Sequence, residues 1–378
     1  MADTILILGN GFDLAMGRKT SYKDFVEFAN NLFLVKDKQL ETFLDKNNIN
    51  IEKYKDNYYL RFINENRSSL GENWSNLEIM ISQLAEAINY FKLNPKRLYR
   101  SNGLLKRHLE CRAEMIVEEN STSKIFIATI FYELYKKLKW DELEKLLAIS
   151  ELNNEFIKDL ELLTELLEIY LTFQDYLDFE VENISPRKTA LDAINNISEA
   201  SLISFNYTRT PYELYHIPLG RTHYVHGKID LNRDKSVINT MVFGIEDKGT
   251  DINSDLMPYQ KFYQRVVKET GNAYESFFDQ ESNISNGIPR IVKNIIIFGH
   301  SVDPLDKEIF RKCFELTYDK YYQSRYIFTY YNEVAKRSII RNLAIILGKE
   351  KLIELTGQKK VVFVQSQDFV GMSNVLLE

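Results

Sequence analysis

Between Arg18 and Leu219 the chain carries only two glycines, Gly71 and Gly103. The others lie in the first 17 residues or from Gly220 onward. A long stretch almost free of breakers favours helix, whereas glycines mark sharp turns and close backbone approach. The stretch is therefore expected to be helical, flanked by two regions of strands and turns. With 15 glycines and 7 prolines in 378 residues, collagen-like, linker and low-complexity chains are excluded. A chain of this length predicts two to three units and buries a core without covalent staples.

Hydrophobic content of 44% and charged content of 27% are ordinary for a globular protein. Lys+Arg of 48 against Asp+Glu of 54 gives a net charge of −6, so no strong global attraction to nucleic acid or anionic membrane is expected. Cys111 and Cys313 stand alone, with no CxxC pair. A zinc ribbon is excluded, a disulfide framework is not expected, and no metal site is predicted. The first residues hold Asp3 and a short apolar run, unlike a signal peptide. No run reaches the ~18 apolar residues of a membrane span. The expectation is a cytoplasmic chain with no membrane partner.

Short apolar runs predict buried strands at Thr4–Leu8, Ser201–Phe205, His223–Val225, Asn294–Phe298, Tyr326–Tyr330 and Val361–Val364. Strands covered on both faces lose their alternation. Helical segments at Lys307–Thr317 and Glu333–Leu347 separate the last three. Strand–helix–strand order implies a parallel sheet with crossover helices. The predicted fold class is α/β, a doubly wound, mostly parallel Rossmann-like sheet interrupted by a large α-helical insertion. Residues 1–30 plus 195–378 would form the nucleotide-binding core and residues 31–194 the insertion. Within the insertion, Ser75-x-x-Glu78 has the spacing of a capping box.

Three of these strands end in glycine-rich or polar clusters: Gly9-Asn10-Gly11-Phe12-Asp13, Asn206-Tyr207-Thr208 and Gly299-His300-Ser301. Ligands of open α/β sheets bind beyond the carboxyl ends of the strands, so the clusters can line one crevice. Leu14 stands where GxGxxG needs its third glycine, which argues against an ordinary NAD-dependent dehydrogenase. The glycines either let a phosphate approach a helix N-terminus or simply make a tight turn. Asp13 would contact a ribose hydroxyl or cap the helix. Asn206 can hold a water or a ribose hydroxyl, or serve as a turn residue. His226 precedes Gly227 and can take a proton from a sugar hydroxyl near neutral pH, or be a hydrogen-bonded core histidine. His223, three residues earlier, faces the other side of its strand, which disfavours a metal pair. Asp303-Pro304 reads as a helix N-cap. The basic residues from Lys92 to Arg112 form a solvated helix face or a patch for an acidic partner.

The ordered set Gly9–Leu14, Thr20–Phe25, Asn73–Glu78, Ser204–Thr208, Tyr224–Gly227 and Phe298–Ser301 resembles the AbiH-type abortive-infection family of bacteria. That resemblance implies a role in phage defence. A more distant resemblance, to sirtuin-like NAD-consuming enzymes, rests on Gly9, Gly11, Gly17, Asn206, His226, Gly299 and Ser301. It implies a sirtuin-like core in which Asn206 and His226 are catalytic, Asn206 positioning water and nicotinamide ribose and His226 doing acid–base work. Gly9, Asn10, Gly11, Phe12, Asp13, Gly299, His300 and Ser301 would bind the nucleotide. Thr208 replaces the acidic residue of that motif, and the zinc ribbon of protein deacylases is missing. The implied activity is hydrolysis of NAD to nicotinamide and ADP-ribose, with NAD as substrate and no required cofactor. The implied partners are NAD or a related nucleotide, a phage-derived trigger or defence partner, and further copies of the chain. The alternatives are a non-catalytic nucleotide-binding sensor and a nucleic-acid-acting effector.

Overall fold

A computed structural model describes residues 4–34, 37–65, 74–98, 124–137, 142–233, 239–245, 255–278, 284–285, 288–289, 293–317 and 324–377. The chain forms two compact units. The first comprises Met1–Ser21, Glu168–Met241 and Lys268–Glu378, and the second Tyr22–Leu167 and Val242–Val267.

Among the described residues the first unit is built on a six-stranded sheet of β1 (Thr4–Leu8), β2 (Ser201–Ser204), β3 (Thr222–Tyr224), β4 (Asn294–Phe298), β5 (Arg325–Tyr330) and β6 (Val361–Gln365). They pair in the order β3-β2-β1-β4-β5-β6, and every pair is parallel. Ile5 aligns with Ser201 on one side and Ile295 on the other, so β1 is central. Every residue of β1 is buried, which explains its unbroken Ile/Leu run. Alternate residues feed two cores. Ile5 and Ile7 join Ile295, Ile297, Phe310, Phe314, Ile339 and Leu343. Leu6 and Leu8 join Phe12, Leu202, Leu214, Ile296 and Met372. Helices Lys307–Leu316 and Glu333–Leu347 thus cover one face of the sheet, and helices Asn10–Ala15, Thr210–Tyr215 and Phe369–Leu377 the other. Each buried Leu, Ile or Phe contributes about 1.5–3 kcal/mol, and a sheet covered on both faces collects this twice.

The order reverses at the β1–β4 pair: β2 and β3 lie to one side, β5 and β6 to the other. Because all six strands run the same way, their carboxyl ends share one edge. Loops leaving β1 and β4 diverge there, which is where open α/β sheets bind ligands.

The second unit is helical: Tyr22–Asn31, Lys38–Lys46, Tyr58–Glu65, Trp74–Leu93, Lys124–Lys137 and most of Glu142–Asp175. Asp37 caps the second of these by accepting from the Gln39 and Leu40 N–H groups. Aromatic packing holds the unit, with Tyr58 against Phe156 at 4.3 Å and Phe62 against Phe126 at 4.4 Å between ring centroids. Tyr259 donates to Asn153 Oδ1 at 2.9 Å. Ser75 lies inside the helix that begins at Trp74 rather than ahead of it. Glu78 instead pairs with the buried Lys261 at 3.0 Å, a tertiary ion pair where the spacing predicts a capping box. Asn73 and residues 99–123, which include Cys111 and most of the basic stretch, lie outside the described residues. Among the described residues no helix is long and apolar enough to cross a membrane.

Candidate functional site

β1 delivers Gly9 and β4 delivers Gly299 to the same place. Gly9 N–H donates to Phe298 O at 3.1 Å, and Gly11 N–H to Gly299 O at 2.8 Å. A Cβ on Gly9 would stand 2.6 Å from Gly299 O, and one on Gly299 only 2.2 Å from Phe12 N. Gly299 also has φ +68°, a left-handed backbone that favours glycine. The two turns therefore interlock backbone to backbone, and the space of the missing side chains is filled by the opposite loop.

On one flank of this junction, Asn206 follows β2 and donates Nδ2–H to Gly9 O at 3.0 Å. Asp13, one turn into the first helix, is wholly buried. Its Oδ2 accepts from the Thr208 hydroxyl at 2.6 Å, and Thr210 donates to Thr208 at 3.1 Å. Arg18 is also buried. Its Nη1 donates to Thr210 and lies 3.7 Å from Asp13 Oδ2. Its Nη2 meets Asp175 Oδ1 and its Nε meets Asp178 Oδ2, each at 2.6 Å. Burial alone would lower the guanidinium pKa, but Asp175, Asp13 and Asp178 outweigh it and raise it. Burial likewise pushes Asp13 up, against the pull of Arg18, Thr208, Thr210 and Asn206. Asp175 is pushed up to about 6 by burial, against Arg18.

On the other flank, β3 ends before His226, and Gly227 (φ +73°) turns the chain away where a Cβ would strike Thr240 O. His226 Nε2 lies 3.1 Å from Asp306 Oδ1, and His300 Nε2 lies 3.6 Å from Asp306 Oδ2. The Val302 N–H donates to His300 Nδ1 at 2.8 Å. An acceptor Nδ1 puts the neutral imidazole's proton on Nε2, facing Asp306. A carboxylate only accepts, so neutral His226 likewise carries its proton on Nε2, leaving the lone pair on Nδ1. Phe205 packs edge-on against both rings, at 4.3 Å from His300 and 5.5 Å from His226. Val302 is fully buried at φ +55°, a conformation that costs a β-branched residue on the order of 1–3 kcal/mol. Strain of this kind concentrates at sites whose geometry is fixed by their surroundings.

The structure thus joins Gly9, Gly11, Asp13 and Asn206 in one group, and His226 and His300 in another, with Gly299 between them. Asn10 is held aside by Thr20, donating Nδ2–H to Thr20 O and accepting the Thr20 hydroxyl. Phe12 is a core residue, 6.1 Å from Phe298 in a T-shaped pair. Ser301 is exposed, and its carbonyl takes a hydrogen bond from Asn342. His223 packs on Tyr274, away from His226. Asp303 caps its turn by accepting from Leu305 N–H. Sequence reasoning missed Asp306, Arg18, Asp175 and Asp178. The one signal for Asp306 was its place three residues after the Asp303 cap. Among the described residues no cluster of His, Cys, Asp or Glu could hold a metal ion. The arrangement offers a carboxylate-oriented imidazole for proton transfer and a separate buried carboxyl–amide pair.

The family model for bacteriophage abortive infection AbiH matches residues 5–330. The chain belongs to the AbiH family. The match spans all the strand-end clusters of this AbiH chain, from Gly9 through Ser301, and points to a role in abortive infection by phage. No curated protein and no solved structure matches the chain.

Proposed function

We propose that this AbiH protein is an abortive-infection effector that hydrolyses NAD to nicotinamide and ADP-ribose. On this reading the sheet is a Rossmann-like, sirtuin-like core and residues 31–194 are a helical insertion in it. The observation that carries the reading is the His226–Asp306 contact of 3.1 Å at the carboxyl ends of the strands. The strand order supports it, since β3-β2-β1-β4-β5-β6 is the order of dinucleotide-binding sheets.

In the proposed step the bond between the ribose anomeric carbon and the nicotinamide nitrogen breaks. Its electron pair neutralises the pyridinium, so nicotinamide leaves uncharged. A water oxygen bonds to the oxocarbenium-like carbon and gives up one proton. His226 takes that proton at Nδ1 while Asp306 stabilises the imidazolium, and the proton then passes to solvent. Asn206 contributes an acceptor that orients the water or a ribose hydroxyl. No covalent nucleophile is required; positioning and electrostatics lower the barrier.

A second reading, a nucleotide sensor without turnover, draws on the Asn206 amide nitrogen, which is committed to Gly9 O. Incubating the purified chain with NAD, with and without phage lysate, and following NAD loss separates the two. Loss in wild type that disappears in His226→Ala supports hydrolysis. Saturable NAD binding with no loss under any condition supports the sensor.

A further inference from the structure

The buried stripe of helix Glu333–Leu347 is Ile339, Asn342, Leu343 and Ile346, one amide among aliphatic side chains. A buried amide costs free energy unless its hydrogen bonds are made, so its partners show what it does there. Its Nδ2–H donates to Ser301 O at 3.0 Å. Its Oδ1 accepts from Nε and Nη2 of Arg341, each at 3.3 Å. The amide stands only this way round, because a carbonyl only accepts and a guanidinium only donates. Ser301 O and Val302 N–H belong to one peptide unit. That unit is therefore held at both ends, its carbonyl by Asn342 and its N–H by His300 Nδ1 at 2.8 Å.

The alternative is the same peptide rotated by half a turn. Such a rotation changes ψ of Ser301 and φ of Val302, as it does between turns of types I and II. Val302 favours it. Its φ of +55° is a left-handed backbone that a β-branched residue avoids, and the rotation takes φ out of that region. Rotated, the peptide would turn its carbonyl to His300 Nδ1, which would then need the proton. His300 Nε2 would present a lone pair to Asp306 Oδ2, 3.6 Å away, and repel it. The same carboxylate holds His226 through Oδ1 at 3.1 Å. We propose that Asn342 is a positioning residue for the His226–Asp306 pair: it locks the Ser301–Val302 peptide, and the locked peptide keeps His300 in the Nε2–H tautomer that faces Asp306. The lock needs no ligand; only its effect on turnover rests on the NAD reading.

Nitrogen-15 NMR of histidine-labelled protein at alkaline pH reads the tautomer directly, and His300→Gln assigns the His300 signals. Wild type is expected to show His300 protonated at Nε2. Asn342→Leu removes the donor at similar volume. In it the ratio of the Nε2–H to the Nδ1–H form should fall by about three- to tenfold, the worth of one hydrogen bond. Adding Val302→Gly should restore the wild-type ratio, because glycine adopts φ +55° without strain. A merely loosened core would not be rescued by losing a further buried side chain. Asn342→Asp, which also lacks the N–H and can pair with Arg341, is the second variant if the first does not fold. An Nδ1–H His300 in wild type, an unchanged ratio in a folded Asn342 variant, or a ratio that Val302→Gly leaves shifted overturns the proposal. Where wild type hydrolyses NAD, kcat of Asn342→Leu should fall with KM little changed. A shifted tautomer with unchanged kcat overturns the positioning role. A wild type that cleaves no NAD refutes the NAD reading, and the NMR result then decides the lock by itself.

Discussion

Asp306 holds His226 at 3.1 Å and His300 at 3.6 Å with its two carboxylate oxygens. One carboxylate thus fixes two imidazoles, and the Val302 N–H fixes the tautomer of the second. Asp306→Asn keeps the shape but offers an N–H where the rings need an acceptor. If His226 moves the proton, kcat for NAD hydrolysis should fall by about 10²–10⁴ with little change in KM. A purely structural Asp306 would change stability and leave kcat intact in the folded fraction.

The interlocked glycines give a stability prediction with a built-in control. Gly299 (φ +68°) and Gly271 (φ +65°) share a left-handed backbone, but only Gly299 faces filled space. Gly271→Ala should cost about 1–2 kcal/mol from the backbone alone. Gly299→Ala should cost clearly more, because its Cβ would meet Phe12 N at 2.2 Å. Chemical denaturation of the two variants checks the order.

Arg18 is the sole cation contacting Asp13, Asp175 and Asp178 at hydrogen-bond or ion-pair distance among the described residues, apart from Arg209 at 4.0 Å from Asp175. Removing one partner of a buried charge network leaves the others uncompensated and costs about 3–5 kcal/mol. Arg18→Met should show a loss of this size in urea denaturation. Adding Asp175→Asn and Asp178→Asn should recover part of it, since the stranded charges are then gone.

Asp175 gives a pH dependence whose sign follows from its raised pKa. The folded chain holds the proton up to about pH 6, while the ordinary value is 3.8. Between these values the folded state binds more protons than the unfolded one, so stability falls as pH rises from about 4 to about 6 and levels off above. Asp13 shifts in the same direction. Urea midpoints measured across this range should slope downward in wild type. In Asp175→Asn the slope should flatten, because the group that binds the extra proton in the folded state is gone.

The sheet was legible because its strands are buried on both faces. Thr4–Leu8 and Asn294–Phe298 read as unbroken apolar runs and occupy those residues in the structure. The chain-order clusters after β1, β2 and β4 were legible for the same reason, since a polar or glycine residue must follow where a buried run ends. Long-range partners were not legible. Nothing local to Arg18 announces Asp175 and Asp178, which lie more than 150 positions away and meet it only in the fold. Asp306 looked like one more acid at a helix start, and its role depends on His226 arriving from β3. The reason for the glycines also changed. Gly9 and Gly11 invite a reading of close ligand approach, whereas their missing side chains make room for Gly299 and His300. Ser75 followed the capping pattern, yet the helix begins at Trp74 and Glu78 serves Lys261.

On the proposed reading, NAD is cleaved at the His226–Asp306 pair. The most direct test is chromatographic measurement of nicotinamide and ADP-ribose formed from NAD by purified wild type and His226→Ala, each with and without phage lysate. Wild type is expected to give equal amounts of the two products in at least one condition, and His226→Ala none above background. No products from wild type in any condition, or undiminished products from His226→Ala, would contradict it.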